Sequence, residues 1–376
     1  MRNDNYLIID FEKKLKMINK EQEEKLKKFI ELFKGYSKTK DFEEDMIDRK
    51  EREYFFSRLN WKTAGELDEF LFGEMISKLW ASQIWSNKDY LIKKIISQNN
   101  FEDLKLELWN LLFADSDISQ RYDTFIEEIK GLGPSSITEL LCFTNPKEYG
   151  IWNDKARKAL KILKFERELP LNKYKIMGIE YKKFNEILKQ IAIKLKANGF
   201  KDVDLLFVDY FLYEVWRKGD IKEKEKIERE EGFVFDHDET RDHIKEIGEA
   251  LGFDTETEKK IAHGSVVDVV WKAKIANLGV VMYVFEVQKG GSPDSIVINL
   301  QKARNNQSVQ KLIVVSDNNQ IDKIKKEIEE ISKDLNKSFS FWNVKDVENT
   351  YQKLTEVVRS IDKLDLVKDE FEIEKS

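Results

Sequence analysis

The stretch Gly264–Gly291, GSVVDVVWKAKIANLGVVMYVFEVQKGG, decides how the rest of the chain is read. It opens with a short apolar run that meets an acid (Val266, Val267, Asp268), passes through a turn-rich gap, and enters a second run that closes on Glu286, Val287 and Gln288. Val280–Val287 is apolar at both parities and rich in β-branched and aromatic side chains, which predicts a strand covered on both faces. Acids are costly in such strands. Burying an unpaired carboxylate costs several kcal/mol, roughly, or forces it to protonate. Two of them on neighbouring strands point either to a shared divalent cation or to a carboxylate pair held by a base.

Reading outward, the elements alternate. Glu239–Leu251 carries Ile244, Ile247 and Leu251 on one helical face and stops at Gly252. Phe253–Lys259 alternates with threonines and predicts a short exposed strand, followed by strands at Val266–Trp271 and Val280–Gln288. Asp294 or Ser295 caps a helix that runs through Ala303 and Arg304. Then come a buried strand at Leu312–Val315, an amphipathic helix at Ile321–Leu335, a strand at Phe339–Val344 and a closing helix at Val347–Val358. This order, αβββαβ followed by αβα, predicts an α/β domain with a mixed central sheet and helices on both faces.

The order of elements, with Asp268 on one strand and Glu286-x-Gln288 on the next, resembles the PD-(D/E)XK superfamily, the restriction-endonuclease-like nucleases. The resemblance covers about residues 237–345. It implies that Asp268, Glu286 and the backbone carbonyl of Val287 bind Mg²⁺, with Mn²⁺ as a substitute. It also implies hydrolysis of a DNA phosphodiester, the ion activating a water and offsetting charge on the phosphorane. Gln288 stands where the family has lysine, and can orient a water without supplying positive charge. The first helix of this fold often adds an acid; Glu246 is the candidate, with His243 about one turn earlier. Asn299, Gln301 and Lys302 on the helix after the strands could reach phosphate or be simply solvated.

Upstream, residues 61–216 read as helical and rich in aromatics, with Phe70, Leu71, Phe72, Met75, Leu79, Trp80, Trp85 and Trp109 as core candidates. In FIEEIKGLGPSSITELL an amphipathic helix stops at Gly131-Leu132-Gly133-Pro134 and another starts at Ser135 and Ser136. Two glycines allow a tight turn and close backbone approach, and the N–H groups of a helix start can hold a phosphate. The turn resembles the helix-hairpin-helix motif, which implies DNA contact through Gly131, Gly133, Ser135 and Ser136; a plain helix-to-helix turn is the other reading.

From Lys155 to Lys196 there are 13 Lys and Arg against four Glu, a local excess of +9 in a chain of net charge −6. The excess nominates Lys155, Arg157, Lys158 and Lys161 for phosphate contact. The same segment admits a helix-hairpin-helix glycosylase with Asp154 as its acid, although the lysine and iron–sulfur cysteines of many such enzymes are missing. Asp154 equally suits the start of a helix.

The whole-chain totals limit the alternatives. With one cysteine, Cys142, there is neither a disulfide framework nor a thiolate metal site. No run of about 18 apolar residues and no N-terminal signal are visible, which predicts a cytoplasmic protein with no membrane partner. A negative net charge gives no global basic field, so a nucleic-acid partner needs a local patch. The expected organisation is a helical arm at 1–60 and a helix-hairpin-helix-like domain at 61–216. A charged linker at 217–236, an α/β nuclease-like domain at 237–360 and an acidic tail at 361–376 follow. The expected activity is that of an Mg²⁺-dependent DNA endonuclease in restriction, defence or repair. A DNA-binding protein with an inactive nuclease fold and a DNA glycosylase are the alternatives. Many nucleases of this kind act as homodimers.

Overall fold

A computed structural model describes residues 18–59, 67–82, 88–219, 235–275, 279–291, 293–331 and 339–362. The basic residues Lys13, Lys14 and Lys16, the core candidate Trp85, most of the charged linker and the acidic tail beyond residue 362 lie outside them. The described residues fall into two compact units, one ending at 219 and one starting at 235.

The first unit is helical among its described residues. Its helices are α1 (Lys20–Tyr36), α2 (Lys40–Ser57), α3 (Glu69–Ser77), α4 (Lys88–Gln98), α5 (Phe101–Phe113), α6 (Ile118–Glu128), α7 (Pro134–Thr144), α8 (Asp154–Ile162), α9 (Gly178–Ala197) and α10 (Leu205–Lys218). Asn19 and Gln22 cap α1 reciprocally, each side chain accepting from the other's backbone N–H. Leu26, Phe29, Ile30 and Phe33 are buried on one face of this helix. Phe33 meets Phe207 and Phe211 of α10 edge-on, with ring centroids 5.6 and 5.5 Å apart. The first helix therefore packs as part of the helical core. Phe72, Met75 and Leu79 are buried as expected, whereas Phe70 is exposed.

The second unit holds α11 (His237–Ala250), β1 (Asp254–Ala262), β2 (Ser265–Lys274), β3 (Val280–Val287), α12 (Pro293–Arg304), β4 (Val309–Ser316), α13 (Asn318–Ile331), β5 (Phe339–Asn343) and α14 (Val344–Asp362). The sheet order is β1-β2-β3-β4-β5; β1, β2 and β3 are antiparallel neighbours, while β4 runs parallel to β3 and β5 to β4. Val284, Leu312 and Val314 pack under Ile296, Leu300 and Ile324 of α12 and α13. On the other face Phe285, Val287 and Val315 pack under Ile244, Ile247 and Val347 of α11 and α14. Adjacent residues of β3 thus enter opposite apolar layers, which is why that run is apolar at both parities. The expected mixed sheet with helices on both faces is what the chain forms.

Candidate functional site

The last paired rung between β2 and β3 is Val269 opposite Phe285. One residue further the strands bring Asp268 against Glu286, on the same face of the sheet by parity. Here the side chains replace the ladder. The Val287 N–H donates to Asp268 Oδ2 at 2.7 Å, and the Asp268 N–H donates to Glu286 Oε2 at 3.2 Å. Asn299 of α12 donates through Nδ2 to Glu286 Oε1 at 3.1 Å and to the Val266 carbonyl at 2.8 Å. The carboxylate pair is locked in place by three polar neighbours. Asn299, read from sequence as a residue that could reach phosphate, instead holds Glu286.

Burial, and then the like charge of Asp268, push the Glu286 carboxyl up to about 7. The positive charge nearby comes from a residue the sequence reading did not nominate. His237, the first residue of α11, places Nε2 3.3 Å from Asp268 Oδ2, while its Nδ1 lies 3.4 Å from Asp238 Oδ1. The hydrogen bond to Asp268 raises the imidazole to about 9 against the cost of partial burial, so it is an imidazolium at neutral pH. Its only sequence signal was a histidine directly after an Asp N-cap, Asp236.

Glu246 does not join the pair. It lies nine residues along α11 from His237, roughly 13 Å by helical rise. The residue is half-buried with its carboxylate enclosed and hydrogen-bonded to Tyr351, burial raises it to about 8, and its Oε2 has no partner among the described residues. His243 stacks on the same Tyr351 at 3.9 Å between ring centroids. Both are packing residues of the contact between α11 and α14. Gln288 is tied locally instead, donating through Nε2 to the Gly290 carbonyl at 2.5 Å.

Among the described residues no group of three or more His, Cys, Asp or Glu side chains is arranged to hold a metal ion. The pair itself still has the oxygen chemistry a hard divalent ion takes. Asp268 Oδ1 has no partner among the described residues, and Glu286 is destabilised by a negative neighbour that a cation would offset. Mg²⁺ is commonly held by one or two carboxylates and completes its shell with water and phosphate oxygens.

In the helical unit the glycine turn links α6 to α7. Gly131 has φ +89, and a Cβ there would press on Gln98 and Ile95; a Cβ on Gly133 would meet the Tyr174 hydroxyl at 2.6 Å. Both glycines therefore have packing reasons to be glycine. Ser135 Oγ donates inward to the Trp152 carbonyl at 3.3 Å, and Ser136 is half-buried. The basic block is partly neutralised by acids outside it, which a count along the sequence misses. Lys182 pairs with Asp117, Lys189 with Glu148 and Lys194 with Glu23, at 2.6, 2.8 and 2.7 Å.

Arg157 is buried and donates to the Lys173 carbonyl, so its assignment to phosphate contact is corrected to a packing role. Lys155 lies over the rings of Tyr213 and Trp216, and Lys161 is half-buried on α8. Lys158 bonds Asp154 at 2.8 Å, with Arg157 3.6 Å from the same carboxylate. Asn153, not Asp154, is the N-cap of α8. An Asp154 ion-paired within its own helix is a poor base for glycosidic chemistry.

No protein-family model matches this chain, and neither curated proteins nor solved structures gave a match. No described helix is long and apolar enough to cross a membrane.

Proposed function

We propose that the protein is a divalent-metal-dependent DNA endonuclease of restriction-endonuclease-like fold, with Asp268 and Glu286 as its acids. The observation that carries this reading is the carboxylate pair at the splayed end of β2 and β3, with an imidazolium beside it. A sheet built as three antiparallel strands followed by a parallel crossover supports the family resemblance. Asp268 and Glu286 are the residues that would hold Mg²⁺ or Mn²⁺, to which the family resemblance adds the Val287 carbonyl. When bound, such an ion lowers the pKa of a coordinated water and offsets charge on the phosphorane.

The chain's own contribution is positional. Asn299 and the two backbone N–H groups fix the carboxylates before substrate arrives, which favours a preorganised site. His237 keeps a proton beside Asp268 and provides the positive charge that Gln288 lacks. The test is incubation of plasmid DNA with wild type and Asp268→Ala, in Mg²⁺ and in EDTA. Nicking or linearisation confined to wild type with Mg²⁺ is expected; cleavage that persists in EDTA or in Asp268→Ala sinks the reading. A second reading, a DNA-binding protein with an inert nuclease fold, is favoured by the Gln288 amide being tied to Gly290. It predicts DNA binding without cleavage under any of these conditions.

A further inference from the structure

The three parallel strands β3, β4 and β5 end at one crevice of about 680 Å³, on the same end of the sheet as Glu286. Lys289, Gly290 and Gly291 follow β3, the start of α13 with Lys323 follows β4, Asn343 ends β5 and Lys345 follows it. The carboxyl ends of parallel strands are where open α/β sheets collect ligands. The strand ends are tied together: Gln288 N–H donates to the Val315 carbonyl at 2.8 Å, Ser316 donates to the Gln288 carbonyl, and Gln320 donates to Gly291 at 3.1 Å.

Its charge is unbalanced. Three exposed lysines line it against one acid, Asp317, whose carboxylate is occupied in capping α13 through the Gln320 N–H at 3.0 Å. Lys289 and Lys323 make no ion pair among the described residues, unlike Lys182, Lys189 and Lys194 in the helical unit. Among the described residues no aromatic side chain lines the crevice to stack a base; what its lysines offer is recognition of phosphate. Lys289 lies three residues beyond Glu286 where the chain bends, which keeps it within roughly 11 Å, a reach of at most about three nucleotides of helical rise.

We infer that this lysine-lined crevice at the carboxyl ends of β3, β4 and β5 binds the phosphate backbone of the DNA strand flanking the carboxylate pair. The inference rests on the nuclease reading for the identity of the anion, and the measurement is chosen to separate the two. Binding of labelled duplex DNA to the full chain is followed by anisotropy in EDTA between about 50 and 200 mM salt, where phosphate contacts dominate. The variants are Lys289→Glu, Lys323→Glu and Lys345→Glu, singly and combined. Lys274→Glu is the control, because Lys274 pairs with Val280 at the opposite end of the sheet.

The combined variant is expected to bind more than tenfold more weakly at low salt, with a log–log salt slope shallower by about 2 to 3, and the control to match wild type. An unchanged slope in the combined variant overturns the inference, as does loss of inorganic phosphate binding without change in DNA binding. If the slope falls while Asp268→Ala still cleaves, the nuclease reading fails and the crevice stands. If cleavage needs Asp268 but the slope is unchanged, only the crevice inference fails.

Discussion

Replacing Glu286 with glutamine separates the site's electrostatic cost from its use. An unfolded glutamate titrates near 4.5, whereas in the folded chain Glu286 is raised to about 7 by burial and by Asp268. A group whose folded value lies above its unfolded value holds its proton more tightly when folded, so wild type loses stability as pH rises from 4.5 to 7. That rise corresponds to ~3 kcal/mol, fully expressed above pH 7. Glutamine removes the charge but cannot accept from both the Asp268 N–H and the Asn299 amide, which returns about 1 kcal/mol. In EDTA above pH 7 the second unit of Glu286→Gln should therefore be ~1–2 kcal/mol more stable than wild type. Below pH 4.5 the advantage should vanish or reverse.

Hydrogen exchange of the β3 segment in the full-length protein reads this difference, since variant and wild type share the same intrinsic exchange at each pH. Adding Mg²⁺ should invert the order. Ion at a hundred times its dissociation constant stabilises wild type by ~2.7 kcal/mol, more than the variant's advantage in EDTA, and leaves the variant nearly untouched. A stability difference that does not change with pH would refute the claim that Glu286 is a strained charge. A variant that gains as much from Mg²⁺ as wild type would refute its assignment as a ligand.

Two further outcomes follow from the packing of α11. Gly248→Ala places a Cβ 2.4 Å from the Trp271 indole, which itself donates to the Ile244 carbonyl, so the variant should lose about 1–3 kcal/mol in thermal unfolding of the second unit. Glu246→Gln removes a buried carboxyl raised to about 8, so its stability should match wild type below pH 4.5 and exceed it by about 1–3 kcal/mol above pH 8, read by urea unfolding at the two pH values.

Much of the second unit was legible because its elements advertise themselves by period. The strand expected at Val280–Gln288 spans Val280–Val287, and the helix expected from Asp294 or Ser295 to Arg304 spans Pro293–Arg304. The acids on β2 and β3 could be seen to converge because strand spacing has a fixed parity. His237 could not. Its contact with Asp268 joins a helix start to a residue of β2 31 positions away, and no periodicity encodes such a contact. Glu246 was nominated because it sits on the right helix, but position along that helix turned it toward Tyr351. The basic block misled for a related reason: charge counted along a sequence ignores Asp117, Glu148 and Glu23, which the fold brings to it.

The carboxylate pair admits a purely structural explanation, since each acid satisfies a backbone N–H where the ladder between β2 and β3 ends. That explanation accounts for acceptor oxygens, not for charge. Asparagine and glutamine present a carbonyl oxygen of the same reach, and would accept the same two N–H groups without desolvating a charge or setting two negative groups against each other. The charge has its own support. Asp268 is matched by an imidazolium at the tip of α11, and Glu286 is fixed by Asn299 rather than neutralised by a lysine or arginine. A site that only closed a strand end would have no use for a charge this costly. One that receives a cation and a phosphate needs it, and the stability order of Glu286→Gln in EDTA and in Mg²⁺ decides between them.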